Sequence, residues 1–208
     1  MVGEGVLHEC LLHSDVDEVL VIGRKSCGIS HPKLKEIVHQ NFFDITPIQN
    51  QLSGYDACYF CLGVTSIGKN EEEYRKLTYA LTMHVASVLS KLNPQMTFCY
   101  VSGASTDSSE KGKMMWARVK GKTENDLMKL PFKKAFNFRP GIMRPTKGLK
   151  NTLSGYKYLS WLFPVIGVLM PNSICSLKEV GQAMINATIK GYEKQILEVK
   201  DIVELAKR

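Results

Sequence analysis

The sequence has no basic stretch followed by an apolar run at its amino end, so it shows no secretory leader pattern. It has no closely spaced cysteine framework. Its 6 cysteines are scattered over 208 residues, which excludes a disulfide scaffold and fits a reducing compartment. We therefore expect a cytoplasmic protein. No apolar run is long enough to span a bilayer. Residues 158–170 are mostly apolar, but the stretch is only 13 residues long and is broken by Pro164. There is no internal repeat and no low-complexity linker. Acidic residues are scarce between Lys111 and Lys157, where 13 Lys and Arg face only Glu124 and Asp126. That zone carries a surplus of +11 within a net charge of +7, so the remainder is about −4. It is either a solvated basic face or an attractor for nucleotide phosphates, an acidic substrate or partner, or a membrane surface. Nucleic-acid binding ranks last, because no aromatic interleaving or recognised motif accompanies the charge.

The residues present are those of an ordinary soluble globular protein, 44% hydrophobic and 23% charged. A single domain over residues 1–208 is expected, with 150–208 as a smaller C-terminal, substrate-side part. Apolar runs of strand length occur at 18–23, 37–43, 56–62, 96–101, 134–138 and 195–199. Helical patterns lie at 3–13, 47–52, 71–92, 110–130, 153–163, 176–189 and 202–206. This alternation predicts an α/β fold, a doubly wound parallel sheet covered on both faces. One element is missing from it. The chain opens directly on a helix start, whereas a sheet of order 3-2-1-4-5-6 is built around its first strand. The expectation is a Rossmann sheet that lacks this strand, as in an N-terminally truncated chain. Two rows of backbone donors and acceptors would then face each other across a gap.

Several short segments sit where strands end. Gly3 and Gly5 mark the first helix start, and Gly23-Arg24-Lys25 closes the run at 18–23. Asp44 closes the next run; it either contacts a ligand or caps the turn at Thr46 and Pro47. Cys58 and Cys61 form C-x-x-C, but residues three apart on a strand point to opposite faces, so no metal is expected there. Cys61-Leu62-Gly63 ends that strand with a glycine suited to close backbone approach. Val101-Ser102-Gly103-Ala104-Ser105 is followed by Trp116-Ala117-Arg118-Val119-Lys120-Gly121-Lys122-Thr123-Glu124, in which Trp116 and Lys120 are one helical turn apart. Phe138-Arg139-Pro140-Gly141-Ile142 follows the fifth strand. His84 lies inside a long helix and is expected to be structural.

Taken in order, these segments resemble the atypical, NAD(P)-binding branch of the short-chain dehydrogenase/reductase superfamily. That branch includes the Tat-interacting-protein oxidoreductases and bacterial epimerase-like proteins. The resemblance covers roughly residues 1–145. It implies that Gly3 is the last glycine of a G-A-T-G-x-x-G phosphate loop, and that Asp44 reads the adenine ring. It also implies that Cys61, Leu62 and Gly63 pass beside the ribose and phosphates, and that Pro140, Gly141 and Ile142 line the nicotinamide side. Arg24 and Lys25 stand where NAD-preferring members carry an acid, which implies a 2′-phosphate and hence NADP(H). Lys120 matches the lysine of Y-x-x-x-K that holds the nicotinamide ribose, with Ser102 or Ser105 as the polarising hydroxyl. The tyrosine position is Trp116, whose indole donates a hydrogen bond but has no acid–base function near neutral pH. Tyr100 and Tyr156 remain as substitutes, without support from spacing.

Two functions are therefore expected. The first is an NADP(H)-dependent oxidoreductase-like protein acting on a small carbonyl or alcohol. The alternative is a non-catalytic nucleotide-sensing or scaffold protein with a protein partner. Residues 158–170 are expected to form a substrate lid or core helix, a partner interface or a peripheral membrane contact.

Overall fold

Among the described residues, apolar runs bounded by turn residues become strands that pair in parallel. The computed structural model describes residues 1–146, 148–149 and 173–208. The expected helix at 153–163, the apolar stretch at 158–170 and Tyr156 lie outside the described residues. The described strands are β1 (Val19–Gly23), β2 (Leu34–Val38), β3 (Ala57–Phe60), β4 (Thr97–Val101), β5 (Lys134–Arg139), β6 (Ile142–Arg144), β7 (Ile174–Ser176) and β8 (Ile196–Glu198). They form a pair β1-β2, a four-stranded sheet β3-β4-β5-β8 and a short pair β6-β7. Helices are α1 (Val2–Leu12), α2 (Glu71–Arg75), α3 (Leu81–Leu92), α4 (Met115–Leu127), α5 (Leu177–Ile189) and α6 (Val199–Leu205).

Both faces of the main sheet are buried, so β4 and β5 are buried along most of their length and mostly apolar. On one face Phe136, Phe138 and Leu197 pack with Val6 and Cys10 of α1 and with Val180 and Met184 of α5. On the other, Phe60, Phe98 and Tyr100 pack with Val85 and Leu89 of α3 and Leu127 of α4. This is the doubly wound Rossmann architecture, and among the described residues no strand lies between β1 and β3. Those two strands instead line a shared cavity of about 1230 Å³.

Three elements depart from expectation. The second strand runs over Leu34–Val38, ahead of the more apolar run at 37–43. It pairs on one side only, and such an edge tolerates Lys35 and Glu36. Asn41 to Asp44 turn instead, with Asn41 Oδ1 accepting the Phe43 amide at 3.1 Å. The long helix at 71–92 contains a π-helical turn, Lys76–Ala80. Finally, α4 begins at Met115 rather than near 110. The residues before it are drawn into a loop by Asp107, whose carboxylate accepts the Gly112 amide at 2.6 Å and the Ser109 amide at 3.0 Å. Helix α5 starts as its S-x-x-E spacing predicts. Ser176 and Glu179 exchange hydrogen bonds in a capping box.

Candidate functional site

The carboxyl ends of β3, β4 and β5 bring together segments far apart in the chain. Ser102 follows β4, and its amide donates to the Phe138 carbonyl at 2.9 Å. The Ala104 amide donates to the Pro140 carbonyl at 3.0 Å. The loop after β4 is thereby laced to the loop after β5. Gly141 is required there, because a Cβ would sit 2.3 Å from the Ser173 carbonyl oxygen. Pro140 is buried, while Ile142 is 43% exposed on β6.

Beneath this edge lies a buried ionic cluster. Glu124 of α4 is fully buried, and both of its oxygens accept from Arg139 at the end of β5, the shortest contact being 2.5 Å. Ser102 Oγ donates to Glu124 at 2.5 Å and to the Phe138 carbonyl at 3.1 Å. Arg139 also donates to Ser108 Oγ at 2.6 Å and to Glu198 at 3.1 Å. Burial would lower the Arg139 value, but the two carboxylates outweigh it and hold the guanidinium charged. Lys120 lies one turn before Glu124, and its ammonium donates to the Ser102 carbonyl. Burial pushes that ammonium below the usual lysine value, with Glu124 working against the shift.

This arrangement alters the reading of the two serines. Ser102 is only 6% exposed, and its hydroxyl is committed to Glu124 and the Phe138 carbonyl, so it is a strut of the cluster. Ser105 is exposed, in a left-handed turn with φ of 66°. Trp116, the second residue of α4, is half-buried one turn before Lys120. Tyr100 is 2% exposed, and burial raises its phenol far above the ordinary value. It therefore has neither the access nor the acidity to stand in for the missing tyrosine.

The adenosine-side candidates come from other strand ends. At the start of α1, a Cβ on Gly3 would lie 3.4 Å from Cys61 Cβ, so the helix N-terminus sits against the end of β3. Cys61 packs on the face of α1 and α5, whereas Cys58 and Leu62 pack on the face of α3. The thiols of C-x-x-C thus point apart, and burial pushes both up to about 12. Gly63 is exposed beyond them. Arg24 and Lys25 are exposed directly after β1, where Gln40 Nε2 donates to the Arg24 carbonyl at 2.6 Å. Asp44 does not end a strand. It lies beyond β2, and its Oδ1 accepts the Thr46 amide at 3.1 Å in a local side-chain turn ahead of the 3-10 helix Thr46–Gln51.

The large cavity is lined by Gly3, Cys61 and Leu62 but not by Arg24, Lys25, Asp44 or Lys120. It is therefore the gap in the sheet rather than a cleft joining the two ends of a dinucleotide. Ser108 and Glu198, which complete the ionic cluster, were not foreseen. Each is a lone polar residue in its own segment, and only the tertiary fold brings it to Arg139. Asn137 is fully buried beside the cluster on β5, and neither polar atom of its side chain has a protein partner.

No family model matches the chain. Among curated proteins it is similar to Protein FMP52-1, mitochondrial, of Scheffersomyces stipitis, with 28% identity over 174 residues, 77% of this chain and 74% of that one. Protein FMP52-2, mitochondrial, of the same organism is 25% identical over 130 residues, 61% of this chain and 55% of that one. Protein FMP52, mitochondrial, of Meyerozyma guilliermondii is 21% identical over 139 residues, 66% of this chain and 57% of that one. The chain thus spans little more than half of the last two relatives. All three are named mitochondrial, which overturns the cytoplasmic placement expected above. Scattered cysteines report a reducing environment and do not say which one.

Solved structures share the architecture at low identity. ADP-L-glycero-D-manno-heptose-6-epimerase of Helicobacter pylori superposes with a TM-score of 0.69 at 12% identity, covering 100% of this chain and 77% of that one. A dTDP-glucose 4,6-dehydratase of Streptomyces venezuelae, solved with NAD and TYD bound, gives 0.67 at 12% identity, covering 99% and 76%. UDP-glucose 4-epimerase of Thermotoga maritima, solved with UDP-glucose, gives 0.67 at 11% identity, covering 100% and 78%. These likenesses show the Rossmann fold alone.

Proposed function

We propose that the chain binds NADP(H) along the carboxyl edge of its sheet and works as a nucleotide-responsive binding protein, without the usual proton transfer. The observation that carries this reading is Lys120, a half-buried lysine held at the end of β4 beside the buried Glu124–Arg139 pair. In a doubly wound sheet, ligands lie outside the carboxyl ends of the strands. The Lys120 ammonium would hold a ribose hydroxyl there. Pro140, Gly141 and Ile142 would flank the nicotinamide. Gly3, at the N-terminus of α1, together with Cys61, Leu62 and Gly63, would face the pyrophosphate. Arg24 and Lys25 would meet the 2′-phosphate, and Asp44 the adenine amino group. When bound, the cofactor supplies hydride chemistry. Neither Trp116, which cannot titrate, nor Tyr100, which is sealed in the core, supplies the usual proton.

The oxidoreductase-like reading keeps one foothold, the exposed hydroxyl of Ser105 at the same edge. The carbonyl or alcohol substrate would then be polarised by Ser105, with Lys120 orienting the ribose. The names of the relatives support a mitochondrial setting, which localisation of a tagged chain in cells would test.

Titration of the 208-residue chain with NADPH and with NADH, followed by nicotinamide fluorescence, tests the binding claim. NADPH should bind more tightly, Lys120→Ala should weaken both, and Arg24→Ala with Lys25→Ala should remove the preference. Equal binding by Lys120→Ala would sink the proposal. Turnover of a carbonyl panel that depends on Lys120 and Ser105 would replace the binding role with the enzymatic one. Trp116→Tyr should gain activity only if the remaining geometry is competent.

A further inference from the structure

The turn that follows β1 is tied down by β2 and the residues just beyond it. The His39 amide donates to the Gly23 carbonyl at 2.9 Å. One residue further on, the Gln40 side chain takes over, and its Nε2 donates to the Arg24 carbonyl at 2.6 Å. Glu36 reaches the same turn from within β2. Its Oε2 accepts from Ser26 Oγ at 2.7 Å, and its Oε1 accepts the Cys27 amide at 2.6 Å. Ser26 Oγ in turn accepts the Gly28 amide at 3.1 Å. The turn is also tight. A Cβ on Gly23 would sit 3.0 Å from the Lys25 carbonyl oxygen, and Gly28 takes a left-handed φ of 64°.

The charges on this turn are spent unevenly. Arg24 and Lys25 are exposed, and neither side chain forms an ion pair among the described residues. Glu36 is exposed within two or three residues of both along the turn it grips, yet its oxygens go to Ser26 and Cys27. Those bonds, that from Ser26 first, hold its carboxyl below the usual carboxylate value. Lys35, its neighbour on the strand and so on the other face, takes Glu18 at 2.6 Å. A carboxylate free to swing would neutralise a cation on its own turn. One pinned to an amide and a hydroxyl leaves both cations unspent.

We propose that Glu36 and Gln40 are positioning residues, which hold the turn at 24–28 in one shape so that Arg24 and Lys25 are preorganised for a phosphate monoester. Gln40 fixes the backbone at the first cation, and Glu36 fixes it just past the second. Two adjacent cations with no internal partner suit a dianion whose oxygens accept several hydrogen bonds at once. A mobile turn would have to be ordered at the expense of binding energy, whereas a tethered one is ordered beforehand. This inference rests on the reading in which Arg24 and Lys25 meet the 2′-phosphate of NADP(H). It adds to that reading an acid that favours phosphate binding, against the sign of its own charge.

Fluorescence titrations of the 208-residue chain and its variants with NADPH and with NADH provide the test. Glu36→Ala removes both tethers, so NADPH affinity should fall about tenfold while NADH affinity changes less than about twofold. The sign of the effect discriminates. Were Glu36 to act through its charge alone, its removal beside a phosphate would strengthen NADPH binding. Glu36→Gln removes the charge but keeps an oxygen for the Cys27 amide and a nitrogen for Ser26 Oγ, so it should bind NADPH at least as tightly as the parent. Gln40→Ala should lower NADPH affinity with NADH again unchanged. NADPH binding by Glu36→Ala that equals or exceeds the parent's would overturn the proposal. So would a loss shared equally by NADPH and NADH, which marks general damage to the fold. A parent chain that shows no preference for NADPH sinks the 2′-phosphate reading and the proposal with it, and that result is separate because it is read before any variant is made.

Discussion

At the scale of single residues, the ionic cluster under the carboxyl edge is the most consequential arrangement. Glu124 is fully buried, and the Arg139 side chain beside it is 10% exposed. Arg139→Met would leave a buried carboxylate without its partner, a change that costs about 3–5 kcal/mol. Urea unfolding should show that loss, and adding Glu124→Gln to the variant should recover part of it. Asp126, on the outer side of α4, offers a contrasting test. Burial would raise its carboxyl, but bonds from Lys122, Lys129 and Tyr79 outweigh that and hold it well below the ordinary carboxylate range. A carboxyl held low in the folded state contributes stability above its unfolded value, roughly 4, and that contribution fades as pH falls through the folded value. Asp126→Asn should therefore cost no more than about 1 kcal/mol near neutral pH, because the partner lysines are solvated. The parent and the variant should converge in strong acid, as read by thermal melts across pH. The resemblance pointed to Lys120 through its spacing of one helical turn from Trp116. It could not show that Ser102 is spent on Glu124, because that depends on where β5 places the Phe138 carbonyl and Arg139.

At the scale of elements, α4 is positioned by contact with the loop before it. A Cβ on Gly121 would sit 1.8 Å from the Asp107 carbonyl oxygen, a backbone atom that cannot swing aside. Gly121→Ala should destabilise the chain by about 1–3 kcal/mol despite the better helix propensity of alanine. It should also weaken NADPH binding, because the displaced helix carries Lys120. Calorimetry and the fluorescence titration would check the two effects separately. The central strands and α5 were legible because a buried strand is apolar throughout and an S-x-x-E cap has a fixed spacing. The second strand was not. Its edge position admits charges that broke the hydrophobic signal, and Phe42 and Phe43 supplied a false one. Strands β6 and β7, at 3 residues each, are too short for any periodicity to reveal.

At the scale of the whole molecule, the open seam divides the sheet into parts of unequal support. Among the described strands β4 and β5 are paired on both sides, whereas β1 and β2 pair only with each other. The amides shared between β1 and β2 should therefore exchange well before those between β4 and β5, since poorly supported units open at lower free energy. Equal rates for the two ladders would show that the seam does not weaken this flank. The doubly wound order, including its interruption, was legible because strand–helix alternation leaves few topologies. Helix α1 has a different dependence. Gly5 lets it press against Leu177, and Gly181 admits Glu9, so its close-packed partner is α5. A ribosome delivers α1 long before α5. During synthesis α1 must wait, its apolar side uncovered, until α5 has emerged, which makes the nascent protein a natural client for a chaperone.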